Sequence, residues 1–144
     1  MVDRRVVSWS IRSARAEDLD AVLALWALSD VLPSVTDNAE SLRRLLAFDA
    51  SAVLVADAGD EVVGSLILGW NGWRGSFYRL AVAPKHRRLG LATALVREGE
   101  HRLRGCGAVR LDAIVAADEA TAMSFWRAAG YQRQNEQSRF VLNL

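Results

Sequence analysis

The residues with the clearest capacity for chemistry lie in one stretch, Leu80-Ala81-Val82-Ala83-Pro84-Lys85-His86-Arg87-Arg88-Leu89-Gly90-Leu91-Ala92. It places a strand end, a proline stop, a basic turn and a helix start in direct succession. Backbone N–H groups at a helix start have no partner within the helix and carry a partial positive charge, so such a turn is ready to hold an anion. Gly90 removes the side chain where a phosphate would approach the backbone, and Ala92 keeps the next turn low. Between residues 85 and 104, Lys85, Arg87, Arg88, Arg97, Arg102 and Arg104 outweigh Glu98 and Glu100 by four charges. The expected ligand is a phosphate-bearing molecule held at a local site.

The charge is local because the whole chain is almost neutral. Eighteen basic against seventeen acidic residues leave a formal charge of +1, too little for a global field that gathers nucleic acid. Aromatic residues are not interleaved with the basic cluster, which also argues against nucleic acid. The Gly-x-x-x-x-Gly-Lys loop of nucleotide cradles is absent. A lone Cys106 leaves no intrachain disulfide and no thiolate cluster, and His86 and His101 have no partners at metal spacing. We therefore expect no metal, and both histidines read as surface residues. No apolar run is long enough to cross a bilayer, and Val6 to Ile11 is too broken by serines for a secretory signal, so no membrane partner and a cytoplasmic location are expected.

The elements that must position the basic turn are legible in the periodicity. At 144 residues the chain fits a single domain, 1–144. Residues 9 to 14 read as a strand. Glu17 to Leu28 read as a helix, with Leu19, Val22, Leu23, Leu25 and Trp26 at helical spacing and Glu17, Asp18 and Asp20 in its first turn. Thr36 or Asp37 is the expected cap of a second helix to about Phe48, burying Leu42, Leu45 and Leu46. Ala52–Ala56 and Val62–Trp70 read as a hairpin, Ser76–Val82 as the next strand, and Leu91, Leu95, Val96 and Leu103 as the buried face of a third helix ended by Gly105 and Gly107. A strand over 109–115, a helix over 118–129 and two short strands near Tyr131 and Phe140 complete a mixed α/β (α+β) order, β-α-α-β-β-β-α-β-α-β-β.

This combination resembles the GCN5-related N-acetyltransferases. Arg87, Gly90 and Ala92 match that family's pyrophosphate loop, Arg-x-x-Gly-x-Gly/Ala. Ala122, Phe125, Trp126, Gly130 and Tyr131 match its later Ala-x-x-aromatic-aromatic-x-x-x-Gly-aromatic pattern. The match is good over 75 to 131, while the first helical pair and the last strands agree only in order and length. The resemblance implies a single-domain mixed sheet flanked by helices and an acyltransferase that moves an acetyl group from acetyl-CoA to a primary amine, on a small molecule or peptide. It implies that the backbone of Leu80, Ala81 and Val82 pairs with the pantetheine arm, and that Arg87 and the amides of Arg88, Leu89, Gly90, Leu91, Ala92 and Thr93 hold the pyrophosphate. The thioester would lie where the strands ending at Val82 and beginning near Val109 splay apart.

The chain departs from the family where proton transfer is concerned. Trp126 stands where a tyrosine often serves as general acid, and an indole has no proton to give at neutral pH. Glu119 stands where many members have asparagine, and Ile114 where some carry a glutamate base. Asp112, two residues before Ile114 and on the same side of the strand, is the first candidate base, directly or through water. Tyr78 is the nearest alternative hydroxyl, and Glu119 is a further candidate whose commoner role is to stabilise a helix dipole. A thiol leaves well enough that positioning plus one backbone oxyanion donor is an equal alternative. These departures keep open a second class of function, a non-catalytic coenzyme-binding sensor or regulatory module. Trp9, Trp26 and Trp126 fall in core patterns. Trp70 and Trp73 flank the Asn71-Gly72 turn, where an acceptor wall, a subunit contact and local packing stand level, and a homodimer is compatible with the small size.

Overall fold

The computed structural model describes residues 8–29, 33–116 and 118–144. In chain order they form β1 (Ser10–Ser13), a 3-10 turn (Ala16–Asp18), α1 (Leu19–Leu28), α2 (Ala39–Phe48), β2 (Val53–Asp57), β3 (Val62–Trp70), β4 (Gly75–Val82), a 3-10 turn (Pro84–His86), α3 (Leu91–Cys106), β5 (Leu111–Ala113) and α4 (Ala120–Ala128). The strands make one five-stranded sheet in the order β1-β2-β3-β4-β5, antiparallel from β1 to β4. Because α3 carries the chain from the end of β4 back to the start of β5, that last pair runs in the same direction. By compactness the chain falls into two units, Met1–Asp112 and Ala113–Leu144.

In the first unit the sheet is buried on both faces, which is why β2 and β3 read as apolar runs more than as alternations. Leu19, Val22, Leu25 and Trp26 of α1 and Leu42 of α2 pack with Val53, Val55 and Ala81, with Leu45, Leu46 and Ile67 around them. The opposite face carries α3, whose Leu91, Leu95, Val96 and Leu103 are buried as the spacing predicts. Each such side chain contributes roughly 2 kcal/mol of burial. Gly99 permits this packing: a Cβ there would lie 2.6 Å from Phe77 and 2.9 Å from Leu68. The residue lets α3 sit against β3 and β4 at a distance where any larger residue would force Phe77 and Leu68 to shift.

Three details differ from the sequence reading. The cap of α2 is Asn38, whose Oδ1 accepts from Ser41 N at 2.8 Å, because Asp37 is engaged elsewhere. Trp9 is only half-buried. Asp18, expected to serve a helix dipole, is instead gripped by Arg12, which donates to both its oxygens at 2.7 and 2.9 Å and also reaches Asp57. The Arg12 hydrogen bond outweighs burial and, with the Arg15 N–H, lowers the Asp18 carboxyl from 3.8 to about 2, while Arg12 is raised above its ordinary value.

The second unit holds α4, with Trp126 buried edge-on against Phe125 and Tyr131 at centroid distances of 5.3 and 4.9 Å. The strands expected near Tyr131 and Phe140 are not formed, and residues 131–144 are irregular. Gln132 to Ser138 offer no alternating apolar residues to bury, and Phe140 is 94% exposed. The strand expected over 109–115 shrinks to β5, with Val109 97% exposed.

A carboxyl whose folded value is depressed stabilises above its unfolded value and loses that effect as pH falls through the folded one. Asp18→Asn is therefore expected to lower Tm at pH 7, with the gap to the parent closing between about pH 4 and pH 2. Thermal melts across that range check it, and a gap independent of pH would refute the ion-pair account.

Candidate active site

The end of β4, the 3-10 turn and the start of α3 build a concave run of backbone. Pro84 opens the turn, and Arg87 is extended, with φ −71 and ψ 154. Arg88 then takes φ 64 and Gly90 φ 80, both left-handed. Left-handed residues set between extended and helical ones turn successive N–H groups toward one side, an arrangement that suits anions. For Arg88 this conformation costs of order 1 kcal/mol, strain of the kind that gathers at binding sites. Gly90 is the N-cap of α3 and no side chain caps the helix. A Cβ at Gly90 would meet nothing within 4 Å, so the cradle opens outward.

The electrostatics sharpen the charge count made from sequence. Arg97 pairs with Glu100 at 2.8 Å and Arg102 with Glu98 at 3.0 Å, so both acids of α3 are neutralised along the helix. Among the described residues no acid pairs with Lys85, Arg87 or Arg88, all exposed at the cradle. The uncompensated charge is thus concentrated at the helix start. Leu80 and Val82 are half-buried, Ala81 is buried, Leu91 seats the helix in the core, and Thr93 and Leu89 are exposed. His86, expected at the surface, is half-buried, with a buried Nδ1 that has no hydrogen-bond partner among the described residues.

The strand leading to the cradle is bulged. Ser65 pairs with Ala81 and Ile67 with Tyr78, so Leu66 alone faces both Arg79 and Leu80. Arg79 has φ 54, the conformation that absorbs the extra residue. Tyr78 and Ala81, opposite Ile67 and Ser65, therefore lie on the α1 face of the sheet, and Tyr78, spaced two residues from Leu80, does not share its face. Gly75 N donates to Arg110 O at 3.2 Å, and Leu111 lies against the Cα of Gly75 on the α3 side. Strand alternation then puts Asp112 on the α1 face with Tyr78. Both are exposed, Tyr78 by 42%, and no hydrogen bond among the described residues joins them. Because β4 and β5 meet at their starts and β5 is three residues long, the Leu80–Val82 end of β4 runs on past it.

Other sequence candidates fall away from this arrangement. Glu119 is the exposed N-cap residue of α4 and makes no side-chain cap bond, and Trp126 belongs to the aromatic cluster of the second unit. In the Asn71-Gly72 turn, Asn71 Oδ1 accepts from Trp73 N and Arg74 N at 2.9 and 2.7 Å, and Arg74 lies over the exposed Trp73 ring at 4.0 Å. Of the readings left open for Trp73, local packing accounts for these contacts. Sequence reasoning missed Arg79 and Asp37, which pair across the α1 face. The signal was present: Arg79 is the one charged residue in an otherwise apolar or hydroxylic strand.

The site therefore combines an uncapped helix start with a bulged strand, on a mixed sheet with helices on both faces. The family model described as "Acetyltransferase (GNAT) family" matches residues 19–131. The chain is 34% identical over 125 residues to the acetyltransferase SG1711 of Sodalis glossinidius (strain morsitans), covering 87% of this chain and 88% of that one. Among solved structures it is similar to the PaiA N-acetyltransferase of Thermoplasma acidophilum in complex with coenzyme A, with a TM-score of 0.78 at 17% identity, over 90% of this chain and 93% of that one. It is also similar to the aminoglycoside antibiotic 6'-N-acetyltransferase AAC(6')-IG of Acinetobacter haemolyticus, with a TM-score of 0.75 at 22% identity, over 94% and 99% of the two chains. This chain belongs to the GNAT acetyltransferase family, and it is an N-acetyltransferase.

If left-handed geometry at the cradle is as described, Arg88→Gly relieves strain and raises Tm by a few degrees, about 1 kcal/mol, whereas Gly90→Ala lowers it by a similar amount. Opposite outcomes in calorimetry would overturn the assigned backbone conformations.

Proposed function

We propose that the protein binds acetyl-CoA on the Leu80–Val82 strand and the α3 cradle and transfers its acetyl group to a primary amine. The observation that carries this reading is the open helix start at Gly90, which has no side-chain cap bond, beside Lys85, Arg87 and Arg88, with which no acid among the described residues pairs. In this reading the N–H groups from Arg88 to Thr93 face the diphosphate, and Arg87 supports it with charge-assisted hydrogen bonds. Leu80, Ala81 and Val82 offer strand backbone beyond the end of β5, where an amide-bearing arm adds as an extended peptide would. The protein's structural relatives include an N-acetyltransferase in complex with coenzyme A and an aminoglycoside antibiotic 6'-N-acetyltransferase, which supports the coenzyme and an amine class of acceptor here. Cys106 is free, which fits a reducing compartment, and we place the reaction in the cytoplasm.

Acetyl transfer joins the amine nitrogen to the thioester carbon, breaks the carbon–sulfur bond, and returns the proton lost by nitrogen to the departing sulfur. Anchoring the remote nucleotide fixes the reacting carbon near the bulge, a gain in orientation. Asp112 is our candidate base for the incoming ammonium and Tyr78 our candidate hydroxyl, both on the α1 face.

Calorimetric titration with acetyl-CoA is expected to give saturable heat below millimolar ligand, and Arg87→Gln or Arg88→Gln to weaken it about tenfold. No heat at millimolar ligand refutes the coenzyme site. Free-thiol release with a panel of primary amines tests the transfer half, and release with none of them refutes the primary-amine acceptor. With a productive amine, Asp112→Asn is expected to lower kcat by about 100-fold at unchanged acetyl-CoA affinity. An unchanged kcat removes Asp112 from the chemistry.

A further inference from the structure

We propose that Arg79 and Asp37 are positioning residues for the amine, because their ion pair fixes the segment before α2 to the bulge of β4; the proposal rests on the acetyl-CoA reading above. Asp37 lies 42 positions from Arg79, and both side chains are largely buried, at 13% and 18% exposure. Arg79 Nε donates to Asp37 Oδ1 at 3.1 Å, and the guanidinium lies 5.6 Å from the centre of the Trp26 ring on α1. Trp26 Nε1 in turn donates to Ser65 Oγ at 2.9 Å, and Ser65 Oγ donates to Arg79 O at 3.5 Å. One residue of the coenzyme strand is therefore held from α1, β3 and the segment before α2 together.

Asp37 also organises its own segment. Its carboxylate accepts from Ser34 N at 2.8 Å, its N–H donates to Ser34 O at 3.0 Å, and the next residue, Asn38, caps α2 and donates to Val35 O at 3.0 Å. Residues 34–38 form a closed turn whose tie to the sheet is the Asp37 carboxylate. Arg79 directly follows Tyr78, which with Asp112 lies on this same α1 face and is open to solvent. An amine approaching the strand from that face passes the tied turn, so the ion pair sets the width and charge of its approach. Paired, the two residues present no net charge. Unpaired, Arg79 would repel an ammonium group.

A left-handed position accepts glycine without strain and aspartate better than most residues. Arg79→Gly thus keeps the bulge and removes the tie together with the guanidinium's place over Trp26, and an Asp37→Arg/Arg79→Asp exchange restores the tie with reversed polarity. With the most productive amine of the panel, Asp37→Asn and Arg79→Gly are expected to raise the amine KM at least tenfold, leave the acetyl-CoA Kd within twofold, and speed hydrogen exchange at residues 33–38. The exchange variant should recover most of both effects. An amine KM unchanged in the single variants overturns the proposal, as does an acetyl-CoA Kd that collapses in Arg79→Gly. If no amine in the panel turns over, hydrogen exchange decides: protection of 33–38 unchanged in both single variants refutes the tie. A parent protein that binds no acetyl-CoA refutes the coenzyme reading instead, and the same titration separates that case.

Discussion

The site depends on a helix that begins without a cap. Most helices answer their first N–H groups with a side chain of their own, as α2 does through Asn38. At α3 the capping position is a left-handed glycine, and the groups that would otherwise be satisfied locally are left facing outward. Everything else in the first unit serves to hold that start in place. Leu91 and Leu95 root the helix in the core, the glutamates farther along are neutralised by Arg97 and Arg102, and the strained Arg88 turns the preceding chain toward the same side. The backbone geometry there suits an anion, and no acid among the described residues pairs with Lys85, Arg87 or Arg88.

Much of this was written in the order of residue types. Helical spacing in α1 and α3, the Pro84 stop and the Gly107 end survive folding because burial on one face and backbone freedom decide them locally. What the sequence could not specify was decided by partners distant along the chain. Asp37 looked like a helix cap and became the partner of a residue 42 positions away, and the cap passed to Asn38. The bulge at Arg79 is invisible to a period-two reading, because the extra residue is set by its pairing with β3 and by a left-handed backbone. The final strands failed for the opposite reason: Phe140 and its neighbours are apolar enough, but the polar run before them gives no alternation to bury.

The cradle and the α1 face obey different physics. Backbone amides bind phosphate with little regard to which side chains surround them, so the loop is readable from a few small and basic residues. The side on which Tyr78 and Asp112 stand is shaped by side chains, among them the Arg79–Asp37 ion pair, whose guanidinium lies over a tryptophan. That division explains why the coenzyme half of the reading rests on a short pattern, while the amine half rests on three-dimensional contacts.

The missing methyl at Gly99 has a mechanical meaning. With a rise of about 1.5 Å per residue, nine residues put this contact roughly 13 Å from Gly90, so α3 acts as a lever whose fulcrum is the point where it touches Phe77 and Leu68. A wedge there would tilt the rod and swing its far tip away from the end of β4. In the proposed reading, the position of the phosphate cradle is thereby indexed to a contact buried beneath the helix.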